Sequence, residues 1–186
     1  LLQERAPRDV PATYARAGAS GGGAAVRDVV TPTVRTFGIS RMGPPATHIL
    51  SNGQYSVMIT AAGAGYSTWN GQALRRWHED GVCDNWGFFI YLRDPKSGKM
   101  WSAGHMPVAA ATDSYVASFT EDKAEFIRAD GNFTTTLECV VSPEDNAEAR
   151  RVTIVNSGLT ARDIELTSYA ELVLAPPAAD TAHPAF

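Results

Sequence analysis

Cysteine is scarce in this chain, with Cys83 and Cys139 the two present among 186 residues. They form neither a CxxC nor a metal-ligand spacing. So small a count reads as two reduced, partly buried thiols in a cytosolic setting, with a disulfide between them as the other reading. Long apolar runs are also missing. No window approaches the roughly 20 apolar residues of a transmembrane helix, and Leu1-Leu2-Gln3-Glu4-Arg5 is not a signal peptide. The chain has no initiator methionine, which leads us to expect an excised, soluble piece of something longer whose membrane attachment lies elsewhere. Excess basic charge is lacking too: 16 Lys and Arg stand against 20 Asp and Glu, a net charge of -4 that argues against nucleic acid as a main partner. His48, His105 and His183 share no ligand spacing, so no metal is expected.

What is present fits one soluble domain, with or without a tail, since 44% hydrophobic and 19% charged residues are ordinary for a globular protein of this length. Leu1 to Arg8 reads as the last turn of a helix stopped near Pro7. Residues 10–45 shift to Ala, Gly, Pro and Thr around Gly21-Gly22-Gly23. They form a linker able to lay short strands on the main body, the β-branched Val26 to Thr36 run above all. Residues 46–186 make the main domain.

Alternation and turn chemistry predict strands along that domain. His48 to Leu50 and Tyr55 to Thr60 flank Asn52-Gly53, and Gly87 to Arg93 and Met100 to Ala103 flank the turn Asp94-Pro95-Lys96-Ser97-Gly98. Tyr115 to Thr120, Lys123 to Ala129 and Asn132 to Val141 continue a meander, and Arg150 to Asn156 is expected to pair with Asp163 to Leu174 across Asn156-Ser157-Gly158. At least eight short strands, with no helix expected after residue 10, predict an all-β antiparallel sandwich. Ala178 to Phe186 is expected to trail off, leaving the sandwich truncated or completed by strands from residues 10–45.

The densest chemistry lies in GYSTWNGQALRRWHEDGVCDNWGFFIYLRD, residues 65–94, which holds Trp69, Trp77 and Trp86 beside Tyr66, Arg75, Arg76, His78, Glu79, Asp80 and Asp84. Flat aromatic faces beside paired charges suit a sugar ring, because stacking covers its apolar face while ionic groups bond its hydroxyls. GAGYSTW reads either as a loop presenting Tyr66, Ser67 and Trp69 to a partner, or as a tight connection with Tyr66 and Trp69 in the core. Trp77 and Trp86 are expected inside the sandwich. Arg75, Arg76, Glu79, Asp80 and Asp84 form one dense charge cluster, read for at least half of them as an ion-pair network on the loop, the other reading being a bidentate arginine that orients sugar hydroxyls or fixes a domain contact. His78 and Glu79 are poor candidates for a shared acid/base site, because strand neighbours point to opposite faces. SPEDNAEARR reads as a solvated loop.

Five blocks in order, THILSNGQYSVMIT, AAGAGYSTW, ALRRWHED, VVSPEDNAEARRVTIVN and IELTSYAELVLAPPAADTAHPAF, resemble the amino-terminal β-sandwich of glycoside hydrolase family 94, the cellobiose phosphorylase family. Within it the likeness runs to the cyclic β-1,2-glucan synthases, large inner-membrane enzymes, and it implies that residues 1–9 are the tail of a preceding domain. The resemblance implies a galactose mutarotase-like β-supersandwich packed on an (α/α)6 barrel that is absent from this chain and carries the catalytic acid and the phosphate site. It implies a carbohydrate-recognising accessory domain without catalytic residues of its own, on the cytoplasmic side of the inner membrane. Its partners would be β-1,2-glucan and the downstream barrel, and a homodimer is compatible. Inorganic phosphate would serve the parent reaction, with no cofactor in this chain. Tyr66, Ser67, Trp69, Arg75, Arg76 and Asp80 are the candidate substrate-proximal or domain-contact residues, and Asp180 and His183 lie in a block that would face the barrel. A freestanding carbohydrate-binding sandwich and a mutarotase-like enzyme are the alternatives.

Overall fold

The computed structural model describes residues 33–39, 46–78, 80 and 84–182. Its elements in chain order are β1 (Arg35–Phe37), β2 (Thr47–Ser51), β3 (Tyr55–Thr60), β4 (Gly65–Trp69), β5 (Gln72–Arg75), β6 (Phe89–Arg93), β7 (Met100–Ser102), β8 (Ser114–Phe119), β9 (Ala124–Asp130), β10 (Phe133–Val141), β11 (Glu148–Asn156), β12 (Glu165–Tyr169), β13 (Leu172–Ala175) and α1 (Pro177–Ala182). They form three antiparallel sheets, ordered β1-β8-β9-β10-β11, β12-β6-β7 and β13-β5-β4-β3-β2.

Strand alternation builds the core. Tyr55, Val57 and Ile59 of β3 point inward with Leu50 of β2, Leu92 of β6 and Trp101 of β7, and meet Tyr115, Ala117 and Phe119 of β8, Phe126 of β9, and Leu137 and Cys139 of β10. The first sheet therefore lies across the other two, with an apolar layer between. Trp101 is the fully buried tryptophan, and its indole Nε1–H donates to Thr135 Oγ1 at 3.2 Å, so the ring is buried without stranding its donor. Cys139 is a buried free thiol whose pKa burial pushes up; Cys83 lies outside the described residues.

The expected all-β sandwich stands, and the hairpins at Asn52-Gly53 and Asp94–Gly98 form where turn chemistry places them. Of the linker, Arg35–Phe37 is a strand laid against β8. The helical turn at Leu1 to Arg8 lies outside the described residues.

Two expectations are corrected. Arg150 to Asn156 does not pair with Asp163 to Leu174: β11 pairs with β10 from Phe133↔Asn156 to Val141↔Glu148, and the later segment splits into β12, paired with β6, and β13, paired with β5. The chain leaving Asn156-Ser157-Gly158 crosses to other sheets instead of turning back. The carboxyl-terminal segment also contains α1, which starts at Pro177, where the missing N–H costs a helix nothing.

The candidate carbohydrate site

Sequence reading missed β4 and β5, and their hairpin builds the site. Asn70 and Gly71 both take positive φ, 47° and 76°, the conformation a two-residue hairpin turn requires. At the other end of β4, Gly65 has φ 145°, and a Cβ there would lie 2.0 Å from the Met58 carbonyl oxygen, so only glycine brings the strand this close to β3. GYSTW is thus a central strand, paired with β3 from Tyr55↔Trp69 to Ile59↔Gly65, and not a loop. Ser67 points into the interior and is fully buried, while Tyr66 is half-buried and Trp69 is 41% exposed, so neither aromatic sits in the core.

On the outer side of this hairpin lies a cavity of about 300 Å³ lined by Tyr66, Thr68, Ala73, Arg75 and Trp77, with Pro177, Asp180 and Thr181 of α1. The Tyr66 and Trp77 rings meet with centroids 5.1 Å apart and planes tilted by 44°, forming a continuous aromatic wall. Trp77 therefore serves the cavity and not the core, contrary to its expected place. Trp86 is half-buried as well, edge-on to His78 at 4.8 Å.

Arg75 enters this wall already positioned. Its Nη2 donates to Glu148 Oε1 at 2.6 Å, and its guanidinium lies 4.7 Å from the Phe88 ring centroid, with Arg150 at 4.8 Å from the same ring. Arg150 donates to Glu148 Oε1 at 3.0 Å and to the Phe88 carbonyl at 2.8 Å, and the Tyr55 hydroxyl donates to Glu148 Oε2. Burial pushes the Glu148 carboxyl up, but Arg150 and Arg75 outweigh it and hold the group below its ordinary value. Arg75 Nη1 is buried without a hydrogen-bond partner of its own.

Arg76 binds elsewhere. Its Nη2 donates to Asp180 Oδ1 at 3.0 Å and its Nη1 to Glu171 Oε2 at 3.1 Å. The two arginines thus pair with Glu148, Glu171 and Asp180 from distant segments. SPEDNAEARR is only partly a solvated loop, because Glu148 and Arg150 sit in β11, and Glu148 pairs with both Arg75 and Arg150. Asp80 is exposed and outside the cavity lining; Glu79 and His183 lie outside the described residues. Among the described residues, no group of three or more acidic, His or Cys side chains is placed to hold a metal ion, and no helix is long and apolar enough to cross a membrane.

Asp84 is separate from the cavity. Burial raises its carboxyl pKa, opposed by a hydrogen bond from the Thr60 hydroxyl. A raised folded-state pKa makes the ionised form unfavourable in the fold, so its stability cost is present at neutral pH and relieved as pH falls from the folded value towards the unfolded one. Asp84→Asn should therefore be more stable than the unsubstituted protein at pH 7, with the difference closing towards about pH 4. Urea unfolding at the two pH values checks this, and a loss of stability at pH 7 would contradict it.

Comparison with known proteins decides the family. Residues 31–186 match the family described as glycosyl hydrolase 94, supersandwich domain. The chain belongs to the glycosyl hydrolase 94 supersandwich family. Over all 186 residues this supersandwich is 47% identical to the cyclic beta-(1,2)-glucan synthase NdvB of Rhizobium meliloti (strain 1021), and spans 7% of that protein. Over 145 residues, 74% of the chain, it is 28% identical to the N,N'-diacetylchitobiose phosphorylase of Vibrio proteolyticus, of which it covers 18%. Both relatives act on carbohydrate by name, and this supersandwich is a carbohydrate-related domain.

Proposed function

We propose that this chain is the carbohydrate-recognising accessory domain of a cyclic β-1,2-glucan synthase. It packs on an (α/α)6 barrel that trims β-1,2-glucan with inorganic phosphate, at the cytoplasmic side of the inner membrane, and supplies binding surface instead of a catalytic acid. The observation that carries this reading is the Tyr66–Trp77 wall beside Arg75 in a cavity of about 300 Å³, within a chain 47% identical to a cyclic glucan synthase. Aromatic faces for a ring, with Arg75, Thr68, Asp180 and Thr181 for hydroxyls, are the usual composition of a sugar pocket.

Packing against a further domain is supported by a separate surface. All five residues of β12 are exposed, and Leu166 and Tyr169 of β12 and Leu172 and Leu174 of β13 are large apolar side chains left exposed. Such side chains are available for contact with a further domain.

The test is glucose 1-phosphate release from β-1,2-linked glucooligosaccharides with inorganic phosphate, by this chain alone and by a polypeptide extended through the barrel. Product from the extended protein only is the expected result. Product from this chain alone, or from neither, contradicts the proposal.

A further inference from the structure

One wall of the cavity is built differently from the other. Tyr66, Ala73, Arg75 and Trp77 come from the β4–β5 hairpin and the residues directly after it, whereas Pro177, Asp180 and Thr181 come from α1. α1 has six residues and none of them is buried. A helix this short does not hold itself in water, and with no buried face it has little packing to hold it in place. The chain is aimed over β5 by an irregular turn, in which the register between β13 and β5 shifts between Leu172 and Ala175, Leu174 takes φ 55°, and Pro176-Pro177 follow. That turn gives direction without holding the helix down.

What ties α1 to the sheet is Arg76. Its Nε and Nη2 reach Asp180 Oδ1 at 3.3 and 3.0 Å, and its Nη1 reaches Glu171 Oε2 at 3.1 Å. Its backbone N–H donates to the Glu171 carbonyl at 2.9 Å, fixing the end of β5 to the approach of β13. The Arg76 and Asp180 side chains are only 15% and 12% exposed, so this pair is shielded in a way that surface ion pairs are not. Arg76 does not itself line the cavity.

We propose that Arg76 is a positioning residue: through Asp180 it holds α1 as the second wall of the cavity, and so sets the affinity of that cavity for an uncharged glycan. The local charges support a neutral ligand. Among the described residues, Arg75 and Arg150 are answered by Glu148, and Arg76 by Glu171 and Asp180, three cations against three carboxylates. Without the tie, the ring keeps its aromatic platform but loses the edge contacts of Asp180 and Thr181. This inference rests on the sugar-binding reading above.

The experiment combines amide hydrogen exchange over residues 178–182 of the ligand-free chain with titration by a β-1,2-glucooligosaccharide. In Arg76→Gln, protection over 178–182 and glycan affinity should each fall about tenfold, while β3 and β4 keep their protection. Arg76→Lys keeps a cation in reach and should recover part of both. Adding Asp180→Asn to Arg76→Gln should cause little further loss of protection, because the two side chains act through one contact. Unchanged protection in Arg76→Gln, or an Arg76→Lys variant no better than Arg76→Gln, would overturn the tie. Failure of the unsubstituted chain to bind the oligosaccharide would instead overturn the sugar reading, with the exchange result still deciding whether Arg76 holds α1.

Discussion

Arg128→Ala should lose about 3–5 kcal/mol of folding stability, the usual cost of breaking a buried ion pair from one side. The Arg128 side chain is wholly buried and Asp130 is 1% exposed, with Nε donating to Asp130 Oδ2 at 2.6 Å and Nη2 to Oδ1 at 2.9 Å. The remaining nitrogen, Nη1, donates to the Ser102 and Gly104 carbonyls at 3.0 and 2.9 Å, so one guanidinium ties β9 to the end of β7 and the turn after it. Truncation would leave the Asp130 carboxylate with Lys99 at 3.3 Å, itself half-exposed, and would strip two carbonyls of a donor. Denaturant unfolding of Arg128→Ala and of the double variant Arg128→Met/Asp130→Ala measures this. The double variant should recover part of the loss, because no uncompensated charge stays buried. A loss below about 1 kcal/mol in the single variant would show that the pair is not the pin described here.

The second large effect concerns binding. Trp77→Ala should weaken β-1,2-glucooligosaccharide binding by about 30-fold, roughly 2 kcal/mol, as is typical when an aromatic anchor of a pocket is truncated. Trp77 touches Tyr66 and the cavity and belongs to no part of the buried core, so the thermal midpoint should move little. Trp69→Ala is the informative companion. Trp69 is 41% exposed and outside the cavity lining, so its loss should leave affinity close to that of the unsubstituted protein. Calorimetric titration of the two variants separates a local site from a general aromatic surface. Equal losses in both would contradict the site as drawn.

The fold was legible because its cues are local. Alternating burial along β3, β8, β9 and β10, with glycine-containing turns at Asn52-Gly53 and Asp130-Gly131, carries the sandwich from sequence to structure. The β4–β5 hairpin carried the same kind of signal in Asn70-Gly71. Its aromatic and charged content drew the reading towards a loop, although a strand with one face at a cavity has reason to be rich in both. The site was legible as a composition and not as a geometry. Tyr66 and Arg75 were named, yet the partners that give the arginines their positions lie far along the chain, Glu148 at a separation of 73 residues from Arg75 and Asp180 at 104 from Arg76. No local pattern specifies such pairs, because the residues that make them are distant in sequence. Crossovers failed for a related reason. Once β11 ends, the destination of the chain is set by which sheet edge is open, and turn chemistry at Asn156-Ser157-Gly158 does not encode that.

We propose that this supersandwich recognises β-1,2-glucan at the Tyr66–Trp77–Arg75 cavity. Calorimetric titration of the unsubstituted chain with β-1,2-linked glucooligosaccharide, beside the same titration with glucose 1-phosphate, tests it most directly. Saturable binding of the neutral oligosaccharide is expected, with much weaker binding of the anionic sugar, since Arg75 and Arg76 are already paired with carboxylates. No heat with the oligosaccharide, or tighter binding of the phosphate ester, would contradict it.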